Sequence, residues 1–350
     1  MVRTVMFANK GDFGPSGIGG IQRYVNQLYL HAHGIDMGMS LGIRTYEDRD
    51  SVFNFEDLKR GDRNADIIHN LVEHRFIIDK KREYNFVSTA HEFAPLLYKQ
   101  FDYDLYRTFE DYVGGLTPRI LRSICKNILS SDFIIANSTQ TMEEAIRLGF
   151  EKRRIFIANL GIDDRLLKRK IIKRSAKKIR IGYIGTMRRR KGVETVARIA
   201  KYLDRDKFIW DLYGRKDIFR YEKLSWLIDK YRNINYKGVA PEKGLERIYD
   251  GFDIFVSPTM YEGFGITIIE AYSRGIPVLI YRKSRIPDEV RKYCFEAEDA
   301  NGMARIIKGI AKEGYDEDRR RKAIEYAKGF TWASCARKTL EAYEKILQRG

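Results

Sequence analysis

The chain has 350 residues, 44% of them hydrophobic, and a net charge of +17. That length holds two domains with full cores. The composition is that of a soluble globular protein, with no apolar run near the roughly 20 residues that span a bilayer. Three cysteines, Cys125, Cys294 and Cys335, form no CxxC pair. They imply neither a disulfide framework nor a zinc site, and they fit a reducing, cytoplasmic compartment. The positive charge suits nucleic acid, an anionic membrane or a phosphorylated substrate, or serves solvation alone.

In chain order, Val2–Ala8 reads as a buried strand and not as a signal peptide. A Gly-rich loop follows, with Gly17, Gly19 and Gly20, then a helical pattern over Ile21–Ala32. Strand, glycine loop and helix open a doubly wound α/β domain, whose ligands sit at the carboxyl ends of strands. The loop is neither GxGxxG nor Walker, and by itself it reads as a turn. Strands are expected at Ile67–Leu71, Phe86–Ala90 and Phe133–Ala136, with a helix over Pro118–Leu129. His91 stands just past a strand end, where a functional residue belongs; a buried structural histidine is the competing reading. His69 is a weaker candidate of the same kind. Asp102 and Asp104 spell D-x-D but lack a supporting strand, so no metal site is inferred. The cationic helix around Leu116–Leu129 fits an anionic membrane surface, or turns Ile120, Leu121, Ile124 and Ile128 to the core.

Arg165–Lys178 is dense in Lys and Arg and reads as a solvated linker. A second domain then begins with a strand at Ile179–Ile184, the loop Gly185–Gly192 and a helix over Val193–Leu203. The loop carries Arg188, Arg189, Arg190 and Lys191. Cations beside a helix N-terminus suit a diphosphate, with a merely solvated loop as the alternative. Strands follow at Phe208–Gly214 and Ile234–Val239, and a helix at Leu245–Tyr249.

The stretch Gly251–Tyr281 reads as strand (Asp253–Ser257), glycine loop, helix (Thr267–Arg274) and strand (Val278–Tyr281). Glu262 and Glu270 bracket its loop and helix. A carboxylate beside free helix N–H groups can read hydroxyls next to a bound phosphate. The alternative is a helix cap at Glu262 and a solvated face at Glu270. The wording of this stretch resembles glycosyltransferase family 4, the retaining glycosyltransferases. It does so through Ser257, Pro258, Glu262, Gly263, Phe264, Gly265, Glu270, Ala271, Gly275, Pro277 and Val278.

The resemblance implies an α/β protein of GT-B architecture. Two Rossmann-like doubly wound domains face a cleft, at 1–165 and 179–330, joined by a linker at 166–178. A C-terminal helix at 331–350 crosses back to the first domain. It implies sugar transfer from a nucleotide-diphosphate sugar to an acceptor hydroxyl with retention, and no metal or other cofactor. Glu270 would hold the ribose, and Glu262 with the N–H groups of Gly263, Phe264 and Gly265 the sugar and its phosphate. Lys191 would neutralise the leaving diphosphate. The family's arginine is replaced by Thr186, with Arg190 as first substitute and Arg188 as second. Gly185, Gly238 and Val239 would line the nucleotide, and Gly19, Gly20 and His91 would meet the donor from the first domain. The acceptor is expected to be a sugar or a lipid-linked sugar, with peripheral contact to an anionic membrane at its inner face. Two other enzyme-fold readings stand beside this one, a catalytically weak nucleotide-sugar-binding protein and a sugar-nucleotide epimerase. A nucleic-acid-binding protein is the distant alternative, without a recognisable module and with no specific nucleic acid implied.

Overall fold

The computed structural model describes residues 2–9, 20–33, 39–46, 53–54, 65–71, 76–77, 84–93, 96, 118–168, 178–216 and 230–349. The chain forms two units, one from 1–100, 116–161 and 330–350, the other including Ile162–Gly329.

The strands of the first unit are Val2–Asn9 (β1), Met39–Tyr46 (β2), Phe53–Asn54 (β3), Ile67–Asn70 (β4), Phe76–Ile77 (β5), Asn85–Ala90 (β6), Phe133–Ala136 (β7) and Ile155–Ile157 (β8). Six of them make a sheet in the order β2-β1-β4-β6-β7-β8, while β3 and β5 pair separately. Every pairing in the large sheet is parallel. All four residues of β4 are buried, and all but the first of β6. A strand buried on both faces belongs to a parallel sheet covered by helices. Helices Gly20–His33, Pro118–Leu129 and Thr139–Arg147 belong to this unit, as does the final helix Trp332–Leu347. The final helix starts where the Thr331 hydroxyl accepts the Ser334 N–H at 3.0 Å. It buries Trp332, Cys335, Ala336, Thr339, Leu340, Tyr343 and Ile346, a stripe at helical spacing. In Pro118–Leu129, Cys125 and Ile128 are buried while Lys126 is exposed.

The second unit contains Ile179–Ile184 (β9), Phe208–Tyr213 (β10), Ile234–Tyr236 (β11), Ile254–Val256 (β12), Val278–Tyr281 (β13) and Phe295–Ala297 (β14). Their order is β11-β10-β9-β12-β13-β14, all parallel. This is the Rossmann order, and it reverses between β9 and β12. The crevice at the carboxyl ends of those two strands is where such a sheet takes its ligand. Trp210, Leu212, Val256, Leu279 and Ile307 anchor the core.

Several boundaries differ from the sequence expectation. Asp164–Leu167 is a short helix, capped by the Asp163 carboxylate on the Arg165 N–H at 2.9 Å, so the stretch read as linker opens in ordered structure. The buried Arg274 guanidinium clamps its end, donating to the Leu166 and Lys168 carbonyls, each at 2.9 Å, and to Asp250. The helix expected over Val193–Leu203 ends at Ala200 and gives way to a turn. The strand expected over Ile234–Val239 ends at Tyr236. Asp102 and Asp104 lie outside the described residues. Among the described residues no helix is long and apolar enough to cross a membrane.

Candidate functional site

The loop after β9 is a tight, internally bonded turn. The Tyr183 hydroxyl donates to the Thr186 carbonyl at 3.0 Å, and the Lys191 N–H to the Arg188 carbonyl at 3.1 Å, closing a 3-10 turn over Arg189–Lys191. Gly192 then caps the helix Val193–Ala200 with φ +76°. A Cβ there would lie 2.0 Å from the Pro258 carbonyl oxygen, so only glycine lets the β9 loop approach the β12 loop this closely.

The loop after β12 is laced to its neighbours. The Met260 N–H donates to the Arg190 carbonyl, and the Glu262 N–H to the Arg285 carbonyl, both at 2.9 Å. The Thr259 hydroxyl reaches the Tyr261 carbonyl at 3.0 Å. Gly265, at φ +96°, is the N-cap of the helix Ile266–Ser273 and offers no side chain for capping. Phe264 is buried, with its ring in the core.

Across the reversal point the two loops are joined by charge. Lys191 Nζ lies 2.7 Å from both carboxylate oxygens of Glu262. The two side chains are only 22% and 15% exposed, so water screens the pair incompletely. Residues 71 positions apart, expected to hold different parts of a ligand, here hold each other. Burial first, and the Glu262 carboxylate second, push the Tyr183 phenol above the usual tyrosine range, leaving it a neutral donor.

Glu270 is fully buried, which excludes the solvated-face alternative. Its Oε2 accepts the Tyr249 hydroxyl at 2.6 Å. Tyr249 was not legible as a site residue: it lies on the helix before β12, in no motif. Arg190 is also buried, and its Nη1 approaches the Tyr261 carbonyl at 3.5 Å. Arg188 is half-buried and Thr186 exposed. Gly185 donates its N–H to the Tyr213 carbonyl at 2.9 Å. Gly238 has φ +79° and Val239 is exposed, both in the loop after β11. Gly192, Pro258 and Met260 also border a cavity of about 600 Å³ with Arg198, Tyr202 and Lys283. It adjoins the site without containing it, since Lys191, Glu262 and Glu270 do not line it.

In the first unit His91 follows β6 and is buried. Its Nε2–H donates to the Leu71 carbonyl at 3.0 Å, and its own carbonyl accepts Asn137 Nδ2 at 3.1 Å. Gly20 opens the helix Gly20–His33, while Gly19 lies outside the described residues. Among the described residues no three of His, Cys, Asp and Glu are placed to hold a metal ion.

Comparison with known proteins fits this geometry. Residues 164–330, which contain both loops, match the family described as glycosyl transferases group 1. The chain is 29% identical over 173 residues to O-antigen chain mannosyltransferase B of Escherichia coli, covering 47% of this chain and 45% of that protein. It is 27% identical over 125 residues to D-inositol 3-phosphate glycosyltransferase of Corynebacterium kroppenstedtii, covering 33% and 27%. The chain thus spans about half the length, or less, of these curated relatives. Among solved structures, sucrose-phosphate synthase of Thermosynechococcus elongatus superposes with a TM-score of 0.75 at 17% identity, over 100% of both chains. HepE of Anabaena, in complex with UDP and glucose, gives 0.68 at 13%, over 99% and 100%. These likenesses show the fold, two Rossmann-like α/β domains of the GT-B class. It is the stretch from 164 to 330, with the Lys191–Glu262 pair inside it, that matches the glycosyl transferases group 1 family.

Proposed function

We propose that the protein is a glycosyltransferase that moves a sugar from a nucleotide-diphosphate sugar to an acceptor hydroxyl, with retention of anomeric configuration and without a metal ion. The observation that carries this reading is the bidentate Lys191–Glu262 pair at the point where a Rossmann-ordered sheet reverses, inside the stretch that matches the family. A mannosyltransferase among the relatives and a UDP-bound neighbour support the donor class.

In this reading the diphosphate of the donor competes with Glu262 for Lys191. The cation passes to the phosphate, and the carboxylate is freed toward the sugar hydroxyls and stays close to the reacting carbon. Negative charge grows on the leaving diphosphate as the bond to the sugar breaks, and a cation fixed there stabilises the transition state more than the ground state. Arg188, half-buried beside Lys191, is the second cation. Arg190, buried against the Tyr261 carbonyl, holds the two loops together. Glu270, oriented by Tyr249, holds the ribose hydroxyls. Gly185, Gly238, Val239 and the N–H groups of Gly263, Phe264 and Gly265 complete the donor side. His91, with Gly19 and Gly20, serves the sugar from the first unit. The acceptor is a sugar or a lipid-linked sugar.

Incubation with a panel of nucleotide sugars and sugar acceptors, followed by nucleoside diphosphate release and the anomeric proton coupling of the product, tests the reading. Turnover is expected to survive EDTA and to give the donor's own anomer. An inverted product, or activity abolished by EDTA and restored by a divalent cation, would overturn the retaining or the metal-independent part.

A further inference from the structure

The first unit contains a buried chain of hydrogen bonds that the proposed reaction does not use. Tyr343, on the final helix, bonds His69 Nδ1 at 2.5 Å. His69 Nε2 bonds Thr89 Oγ1 at 2.8 Å, and Thr89 Oγ1 bonds the Tyr24 hydroxyl at 2.8 Å. All four side chains are at most 1% exposed. They come from the final helix, β4, β6 and the first helix, so the chain ties four elements together.

These groups are neutral at working pH. Burial first, and His91 second, lower the His69 imidazole to about 3. Burial pushes the Tyr24 and Tyr343 phenols well above their ordinary range. A neutral imidazole has one N–H and one acceptor nitrogen, so its two hydroxyl partners cannot both donate or both accept. The chain therefore has a single polarity running from Tyr343 to Thr89. A buried polar chain of this kind is costly unless fully paired, and when paired it defines one arrangement.

The far end of the chain is Tyr24, whose ring packs against His91. The Tyr24 ring stands edge-on to the His91 imidazole, centroids 5.1 Å apart at 80°. Thr89 lies two residues before His91, and the Leu71 carbonyl that accepts the His91 Nε2–H lies two residues after His69. The chain thus reaches His91 through the Tyr24 ring, and β4 and β6, which carry His69 and Thr89, lead into the Leu71 carbonyl and His91 themselves.

We propose that Tyr343 and His69 are positioning residues for His91, the hydrogen-bonded chain from the final helix fixing the Tyr24 ring against which the His91 imidazole is oriented. The catalytic consequence rests on the reading of His91 as the first unit's contact with the transferred sugar. Misplacement of such a group costs rate more than affinity.

The test uses the full chain and the side-chain Nε2–H signal of His91 in ¹⁵N-resolved NMR. Tyr343→Phe keeps the ring and removes the hydroxyl. It is expected to shift the His91 signal or lose it to exchange, and to lower kcat about tenfold with little change in donor KM. Tyr24→Phe breaks the chain at the other end and should shift the same signal, which keeps the test decisive if Tyr343→Phe does not fold. Leu340→Ala loosens the final helix without touching the chain and should leave the signal in place. An unmoved His91 signal in folded Tyr343→Phe or Tyr24→Phe would overturn the proposal, as would an equal shift in Leu340→Ala. If His91→Ala retains full turnover while Tyr343→Phe still moves the His91 signal, the positioning stands and the sugar-contact reading falls.

Discussion

At the scale of single residues, the site turns on one contact, the lysine of one loop against the glutamate of another. Glu262→Ala releases Lys191 from its partner and removes the group assigned to the sugar. It should lower turnover by at least about tenfold, with nucleoside diphosphate affinity kept or raised. Glu270→Ala should instead weaken nucleoside diphosphate binding, because the ribose contact and the anchor for Tyr249 vanish together. Loss of the short Tyr249–Glu270 bond, with only the longer contact to the Thr267 carbonyl at 3.3 Å in its place, should also cost about 1 kcal/mol of stability. Calorimetric titration of both variants with UDP and GDP separates the two roles, and equal loss of affinity in both would contradict the division. Neither the Lys191–Glu262 contact nor the Tyr249–Glu270 contact could be read from spacing. Lys191 and Glu262, 71 residues apart, meet because a crossover brings β9 beside β12, and Tyr249 and Glu270, 21 apart, lie on the two successive helices that flank β12.

At the scale of elements, the two donor-side loops are held in register by glycine. Gly192→Ala would drive a methyl group against the Pro258 carbonyl from a left-handed backbone. It is expected to cost a few kcal/mol and to separate Lys191 from Glu262. Urea unfolding should report the loss, with a fall in diphosphate affinity alongside it; wild-type stability in this variant would mean the loops are not packed as described. The final helix carries a pH signature through His69. Its folded pKa is lowered by burial, so below the unfolded value near 6.5 the unfolded chain binds more protons, and stability falls with acidification. The contribution is fully present above about pH 6.5 and should be smaller by roughly 2 kcal/mol at pH 5. A parallel series on His69→Gln, which lacks that slope, checks the assignment. β7 and β13, with continuous apolar runs, were legible residue for residue, and so was β9, where apolar residues alternate with Arg180 and Gly182. β2 was not singled out, although Met39, Leu41 and Ile43 alternate along it, and β8 is only three residues long. The ordered start at Asp164–Leu167 has a local cap in Asp163, but the clamp on its end comes from Arg274, more than 100 residues away, which no local pattern records.

At the scale of the whole molecule, the two halves differ in how much of their chemistry the chain announces. The second unit has its glycines and acids in one continuous wording at Gly251–Tyr281, and its cations in a second glycine-flanked loop at Gly185–Gly192. The first unit places His91, Asn137 and the His69 chain through contacts between distant strands and helices, which no local pattern records. The excess of 65 basic over 48 acidic residues accords with phosphate-bearing ligands and adds to their capture at low salt. The central claim is that the second unit holds a nucleoside diphosphate. A thermal-unfolding panel of nucleoside diphosphates and nucleotide sugars, run on the wild type and on Lys191→Ala, tests it most directly. A ligand at 100 times its Kd should add about 2.7 kcal/mol of stability to the wild type, and much less to the variant. No shift of the wild type with any nucleotide, or an equal shift in Lys191→Ala, would contradict the account.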